Sequence, residues 1–216
     1  MNKVVKAIII VLILNFILIS LSITSGFNKG NIKYRFQERQ AVTFISALLL
    51  GGTSLVSLII FLIKKKIQPS DKGVEFWLLS SIGFLYLCMD EYFMAHEGID
   101  NIVANLFVKQ SETLRFDGIT LGIFALIALV ICFCYKNELL KQRKILPFLI
   151  LGGVCFLGTV VFDQLYLLES LSDVVEVIEE SFKILAVSFF FTGYLMLLLF
   201  IIKRIPTNII NKERKT

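Results

Sequence analysis

An apolar run of the sequence ends, within residues 87–97, in a group of ionisable side chains. The group contains Asp90, Glu91, His96 and Glu97, and His96 is the single histidine of the chain. Ionisable groups where a membrane helix leaves the bilayer are costly and usually serve a function. Carboxylates together with an imidazole suit Zn, Mn or Fe, and such a metal can activate water or polarise a phosphoryl or carbonyl group. We therefore predict these four residues as ligands of a divalent metal.

A second acidic segment precedes the last apolar run. Its carboxylates recur at spacings of 4, 3 and 4, which places them on one face if the segment is helical: Glu169, Asp173, Glu176 and Glu180. We predict Glu176 and Glu180 as catalytic groups, each a general base or a further ligand. Asp163, at the end of the preceding apolar run, is predicted as another metal ligand. Lys183 follows Glu179 by four residues, which predicts an ion pair along the helix.

Composition assigns these residues to a membrane protein. The 216-residue chain is 56% hydrophobic and only 18% charged, and its mean hydropathy is +0.81, whereas soluble domains carry about 25% charged residues. We predict an all-α fold, a polytopic membrane helix bundle that forms one integral membrane domain over residues 1–216. The net charge of +5 lies in short loops beside apolar runs, so it indicates membrane topology and not nucleic-acid binding.

Six apolar runs are long enough to cross a bilayer, which takes about 20 helical residues. We predict transmembrane helices at residues 4–23, 42–63, 74–94, 118–135, 145–168 and 182–202. With six helices both termini share a side, and that side carries 15 Lys and Arg residues against 6 on the other, Lys183 being left out as intramembrane. This bias predicts cytoplasmic termini. The first run also fits a signal peptide, although its apolar centre is longer than usual.

That topology gathers the acidic helix ends on the outer side of the membrane. The inner side carries Asp71, Glu75, Glu138 and Glu213, scattered among lysines. Phe76 and Trp77 fit the inner interface. Two interpretations without function remain open for the outer group: its carboxylates are a solvated face, or they pair internally, for example Asp90 or Glu180 with Lys183.

Two stretches resemble a pattern in uncharacterised prokaryotic multi-pass membrane proteins. They are M-D-E-Y-F-M-A-H-E at residues 89–97 and V-I-E-E-S-F-K-I-L at residues 177–185. In those proteins an Asp-Glu…His-Glu motif ends one helix and a Glu-Glu motif opens a later one. The resemblance covers about a tenth of the chain. It implies a multi-pass protein of a prokaryotic plasma membrane, and it implies no activity.

Three functions follow from these patterns. The first is a metal-binding membrane protein, a candidate hydrolase, whose outer site acts on a lipid or lipid-linked substrate. The second is a non-enzymatic accessory, immunity or sensor subunit, whose acidic outer face binds a cationic protein partner or a second copy of the chain. The third is a channel or carrier, although ionisable groups near the membrane midplane, typical of coupled carriers, are missing from the sequence pattern. No GxSxG, P-loop, GxGxxG or HExxH motif is present.

Overall fold

Helices account for all the regular structure in the described part of the chain, residues 3–37, 40–93, 119–164 and 172–213 of a computed structural model. The elements in chain order are α1 (Lys3–Asn28), α2 (Ala41–Ile67), a 3₁₀ turn (Lys72–Val74), α3 (Glu75–Phe93), α4 (Ile119–Cys134), α5 (Lys136–Lys141), α6 (Leu146–Gln164) and α7 (Ser172–Glu213). The all-α prediction is therefore confirmed.

Four of these helical stretches are long and apolar enough to cross a membrane: Lys3–Asn28, Ala41–Ile67, Lys72–Phe93 and Asp173–Arg204. Two shorter apolar stretches, Gly122–Cys134 and Leu146–Phe162, coincide with the fourth and fifth predicted spans. The number of six spans and the cytoplasmic termini stay predictions, as does the single domain. The last helix starts ten residues before the predicted span at residue 182, so Glu176 and Glu180 lie on α7 itself.

The long helix α7 is the centre of the packing, since α1, α2 and α6 all contact it. Glycines of α6 let the two backbones approach closely: a Cβ built at Gly152 would lie 2.7 Å from the ring of Phe190, and one at Gly158 would lie 2.7 Å from Phe182. Small residues at helix contacts are typical of membrane bundles, where apolar surface alone does not drive association.

Hydroxyl and amide groups join the helices in the apolar interior. The Ser54 hydroxyl of α2 donates to the Ser81 carbonyl of α3 at 2.8 Å, and Ser57 donates to the Trp77 carbonyl at 2.7 Å. The Ser188 hydroxyl of α7 donates to Asn15 Oδ1 of α1 at 3.2 Å. Polar contacts of this kind between membrane helices stabilise association modestly, by about 0.6 kcal/mol on average.

The connection between α1 and α2 folds back over the helix ends. Its turn includes Gly30, whose φ of 74° favours glycine, and the amide of Asn31 donates to the Gly26 carbonyl at 3.0 Å. A Cβ at Gly26 would lie 2.5 Å from the Ile32 carbonyl oxygen, so the close approach requires glycine there. Phe36 is buried against α2 and α7. This packing fixes the position of the connection beside the start of α7.

Candidate functional site

Two charged clusters lie at opposite ends of the bundle. The acidic end carries Lys33, Asp90, Glu91, Glu176, Glu180 and Lys183. The basic end carries Lys64, Asp71, Glu138, Lys141, Lys144 and Arg204. The predicted topology places the acidic end outside the cell and the basic end in the cytoplasm.

The predicted site residues divide into those that the structure describes and those it does not. Asp90 and Glu91 lie in the last turn of α3, and Glu176 and Glu180 lie in the first turns of α7. Asp90 is only 4% exposed. The remaining predicted ligands fall outside the described structure: His96, Glu97 and the side chain of Asp163.

Lys183 connects α3 and α7 at the acidic end. Its Nζ lies 2.5 Å from Glu180 Oε1 and 3.6 Å from Glu91 Oε2. Internal pairing of Glu180 with Lys183, one of the alternatives left open by the sequence, is therefore confirmed. Within α7, the ion pair of Lys183 is with Glu180, three residues before it. The i,i+4 spacing predicts Glu179 as the partner. Two carboxylates share one ammonium here, so the group of three carries one surplus negative charge when all are ionised.

Glu91 also faces a cavity. The cavity has a volume of about 400 Å³ and lies between the start of α2 and the end of α3; its walls are formed by Gln40, Ala41, Thr43, Phe44, Ala47, Glu91 and Tyr92. The Glu91 side chain is 11% exposed, and its Oε1 is buried with no hydrogen-bond donor among the described residues. A buried polar atom without a partner costs about 1–3 kcal/mol. The carboxylate therefore has capacity for one more donor or cation.

Glu176 belongs to a separate set of ion pairs. Lys33 Nζ, from the connection between α1 and α2, lies 3.0 Å from Glu176 Oε2 and 3.0 Å from Asp173 Oδ1. The carboxylate stripe predicted on α7 is thus helical in the described part. The structure does not bring its two halves into one cluster, because Asp173 and Glu176 contact Lys33 while Glu180 contacts Lys183.

The described residues do not by themselves form a metal centre. Among them, no group of three or more His, Cys, Asp or Glu side chains is arranged to hold an ion. Glu91 and Glu180 both lie against the Lys183 ammonium, so each of them already contacts one cation. His96, Glu97 and the Asp163 side chain are not included in this finding, so the predicted metal site stays a prediction.

Sequence reasoning missed the cluster at the basic end. Glu138 of α5 is 3% exposed; it forms an ion pair with Lys64 and a second one, at 3.3 Å, with Lys141. The indole Nε1 of Trp77 donates to Glu138 Oε1 at 3.0 Å, and the Lys64 Nζ lies 5.2 Å from the centre of the Trp77 ring. Trp77 is 0% exposed and Phe76 only 2%, so both belong to the core. Their rings pack against α2, α5 and α7 at the basic end, and the prediction that they fit the inner membrane interface stays a prediction.

Electrostatics at the basic end favour the charged forms. Burial alone would raise the pKa of Glu138, but the hydrogen bonds from Lys64 and Trp77 outweigh burial and hold its pKa below the ordinary value. The hydrogen bond from Lys141, at 3.0 Å, lowers the pKa of Asp71, and the same bond raises the pKa of Lys141. Asp71 Oδ1 also accepts from the Gly73 amide at 2.9 Å. The described carboxylates of this cluster are thus satisfied.

Long apolar helices with charged clusters at their ends are typical of the class of all-helical integral membrane proteins. The chain belongs to the family described as a domain of unknown function, DUF8692, whose model matches residues 7–198. No curated protein matches the chain, and no solved structure matches it.

Proposed function

We propose that the chain is a six-span protein of a prokaryotic cell membrane, with both termini in the cytoplasm, and that its acidic end binds a cation from the outer side. The distribution of Lys and Arg, 15 against 6, supports this orientation through the positive-inside rule. The basic cluster, with Lys64, Lys141, Lys144 and Arg204, lies at the end that this orientation places inside the cell.

The observation that carries the proposal is the position of Glu91. Glu91 lines the cavity between α2 and α3, and its Oε1 has no donor among the described residues. Lys183 already balances one of the two carboxylates it contacts. A cation in the cavity would neutralise the other and satisfy Oε1.

A divalent metal is the first candidate for this cation. Asp90, His96, Glu97 and Asp163 would be its further ligands, in keeping with the donor set that Zn, Mn and Fe prefer. A metal bound there would supply a Lewis acid for a lipid or lipid-linked substrate. Glu176 and Glu180 would be the catalytic groups, each a general base or a further ligand.

An organic ammonium group is the second candidate, and the wall of the cavity favours it. One carboxylate is accompanied there by the rings of Phe44 and Tyr92 and by the polar groups of Gln40 and Thr43. Aromatic faces attract ammonium groups, with about 0.5–2 kcal/mol depending on exposure. In this case the protein is a non-enzymatic accessory subunit whose ligand is a lysine side chain of a protein partner.

Ion binding to the purified full chain tests the proposal. Zn²⁺ and Mn²⁺ are titrated calorimetrically into protein in detergent, followed by a short lysine-containing peptide. We expect one of the two ligand types to bind to the wild type at one site, and Glu91→Gln to abolish that binding. Glu75→Gln is the matched control, because Glu75 is an exposed carboxylate at the basic end of the same helix.

The outcomes are separable. Metal binding that is lost in Glu91→Gln supports the metal centre, and peptide binding that is lost in the same variant supports the accessory function. Binding that survives in Glu91→Gln, or no binding of either ligand to the wild type, would overturn the proposed cation site.

A further inference from the structure

Two cations share one aromatic ring at the basic end. Lys144 Nζ lies 4.0 Å from the centre of the Phe200 ring, and the guanidinium carbon of Arg204 also lies 4.0 Å from it. Both distances are within the range of a cation–π interaction. The ring attracts each cation but carries no net charge, so two positive charges are held together without being neutralised.

Among the side chains that the structure describes, no carboxylate balances the charges of Lys144 and Arg204. None of the described ion pairs, defined by a nitrogen–oxygen distance of 4.0 Å or less, includes Lys144 or Arg204. The two acidic groups of this cluster are already engaged, Glu138 with Lys64 and Lys141, and Asp71 with Lys141. An anion from outside the described chain would relieve the repulsion between the two cations.

The surroundings of the ring indicate what kind of anion this is. Lys144 comes just before α6, and Arg204 is the last residue of the membrane-length part of α7, Asp173–Arg204. Both side chains are exposed. Leu199 and Ile202, next to Phe200 on α7, are 50% and 47% exposed. Cations at the end of an apolar helix, beside exposed aliphatic side chains, match the phosphate and acyl chains of a phospholipid.

The helix packing holds the two cations in place. Phe148 of α6 packs on Gly193 of α7, where a built Cβ would lie 2.8 Å from Phe148 Cβ. Lys144 precedes Phe148 by four residues, and Phe200 follows Gly193 by seven. The close contact therefore sets the distance between the start of α6 and the Phe200 turn of α7.

We propose that Lys144 and Arg204, joined by Phe200, bind the phosphate of an anionic phospholipid whose acyl chains lie along α7. The site is at the opposite end of the bundle from the proposed cation site and does not depend on it. Lys136, whose Nζ lies 4.9 Å from the exposed ring of Phe133, has one cation per ring and is not expected to form an equivalent site.

Native mass spectrometry of the full chain in detergent tests this inference, with phosphatidylglycerol and phosphatidylcholine as probes. We expect the wild type to retain one phosphatidylglycerol more tightly than phosphatidylcholine. The variant Lys144→Gln/Arg204→Gln should weaken phosphatidylglycerol binding by roughly tenfold or more, as expected from the contribution of each basic residue at a lipid surface. The control Lys65→Gln/Lys66→Gln removes the same charge from exposed lysines at the same end and should change binding less than about threefold, since these lysines lack the shared ring.

Three results would overturn the inference. Equal weakening in the control variant would show diffuse attraction to the basic surface. Unchanged binding in Lys144→Gln/Arg204→Gln would place the lipid elsewhere. Displacement of the lipid by millimolar inorganic phosphate would show a site for free phosphate. Circular dichroism and the fluorescence of Trp77, the single tryptophan, show whether each variant is folded, and Lys144→Arg/Arg204→Lys should bind as the wild type does.

Discussion

The two ends of the bundle stabilise buried charge with opposite arrangements of ionised groups. At the basic end, one carboxylate is surrounded by donors: Glu138 contacts two lysines and the indole of Trp77. At the acidic end, one ammonium is surrounded by carboxylates, since Lys183 contacts both Glu91 and Glu180. The first arrangement leaves an excess of donors near the membrane surface, where long lysine side chains reach water. The second leaves an excess of buried acceptors.

This difference separates a structural cluster from a candidate binding site. Glu138 gains hydrogen bonds that hold its pKa low, and its lysines belong to helix ends. Glu91 keeps a buried oxygen without a donor in the described part of the chain, and Glu91 is one of the residues that line a cavity. A network in which every polar group has a hydrogen-bond partner stabilises one conformation. An acceptor without a donor can bind a donor group or a cation of a ligand.

Removing the ammonium from the acidic end should have the largest effect. Lys183→Met leaves the carboxylates of Glu91 and Glu180 without the cation that contacts both. Breaking a buried ion pair on one side costs about 3–5 kcal/mol. We expect a loss of this size in the free energy of unfolding, measured by titrating the purified protein from mild detergent into SDS and following helicity by circular dichroism.

A triple variant sharpens the same test. Lys183→Met/Glu91→Gln/Glu180→Gln removes the whole charged group and should recover most of the loss, because neutral side chains are far less costly to bury. If Lys183→Met were as stable as the wild type, the charges of Glu91 and Glu180 would be balanced by a group other than Lys183. That result would contradict the contrast drawn between the two ends of the bundle.

Neutralising the carboxylate at the basic end should have an intermediate effect. Glu138→Gln can still accept from Trp77 but loses the charge that faces Lys64 and Lys141, and hydrogen bonds to charged groups contribute about 1.5–3 kcal/mol each. Trp77 is the single tryptophan and contacts Glu138 directly, so its fluorescence reports on this end. We expect unfolding followed by Trp77 fluorescence to require less denaturant in Glu138→Gln than in the wild type.

The pH dependence of this effect has a defined sign. The folded pKa of Glu138 is below its ordinary value of 4.5, so its contribution is complete above that pH and is lost as pH falls through the folded pKa. The stability difference between wild type and Glu138→Gln should therefore be constant from pH 6 to 8 and should shrink below about 4.5. A difference that disappears already near pH 7 would mean that Glu138 is not ionised in the folded protein.

The sequence was sufficient for the helices but not for the basic end. Apolar runs located the four membrane-length helices of the described part of the chain. The 4, 3, 4 spacing placed the carboxylates before residue 182 on one face if that segment is helical, and the helix starts at Ser172. Glu138 was missed because it lies in a short polar segment between two apolar runs, where a carboxylate among lysines is usually solvated. Its partners Lys64 and Trp77 are 74 and 61 residues away, and no local spacing indicates such contacts.

The same limit applies to the acidic end. Spacing along α7 favoured Glu179 as the partner of Lys183, but the lysine contacts Glu180 and reaches Glu91 on α3 because α3 and α7 meet there. The stripe of carboxylates on α7 was predicted as one unit. Its division between Lys33 and Lys183 depends on how the connection between α1 and α2 folds, which periodicity does not determine.

The smallest effect is expected for Lys33, the second cation of the acidic end. Its partners Asp173 and Glu176 are 53% and 21% exposed, and partly exposed ion pairs contribute about 0.2–1 kcal/mol each. Lys33→Met should therefore lower the free energy of unfolding by about 0.5–2 kcal/mol, and the difference should shrink in 0.5 M salt, where screening extends over only a few ångströms. Hydrogen exchange should increase in residues 29–37, which Lys33 ties to α7, while Trp77 fluorescence at the basic end stays unchanged. A loss as large as that of Lys183→Met would show that the acidic end is one coupled network. The distinction between the ion pairs of Lys33 and the group around Lys183 would then be wrong.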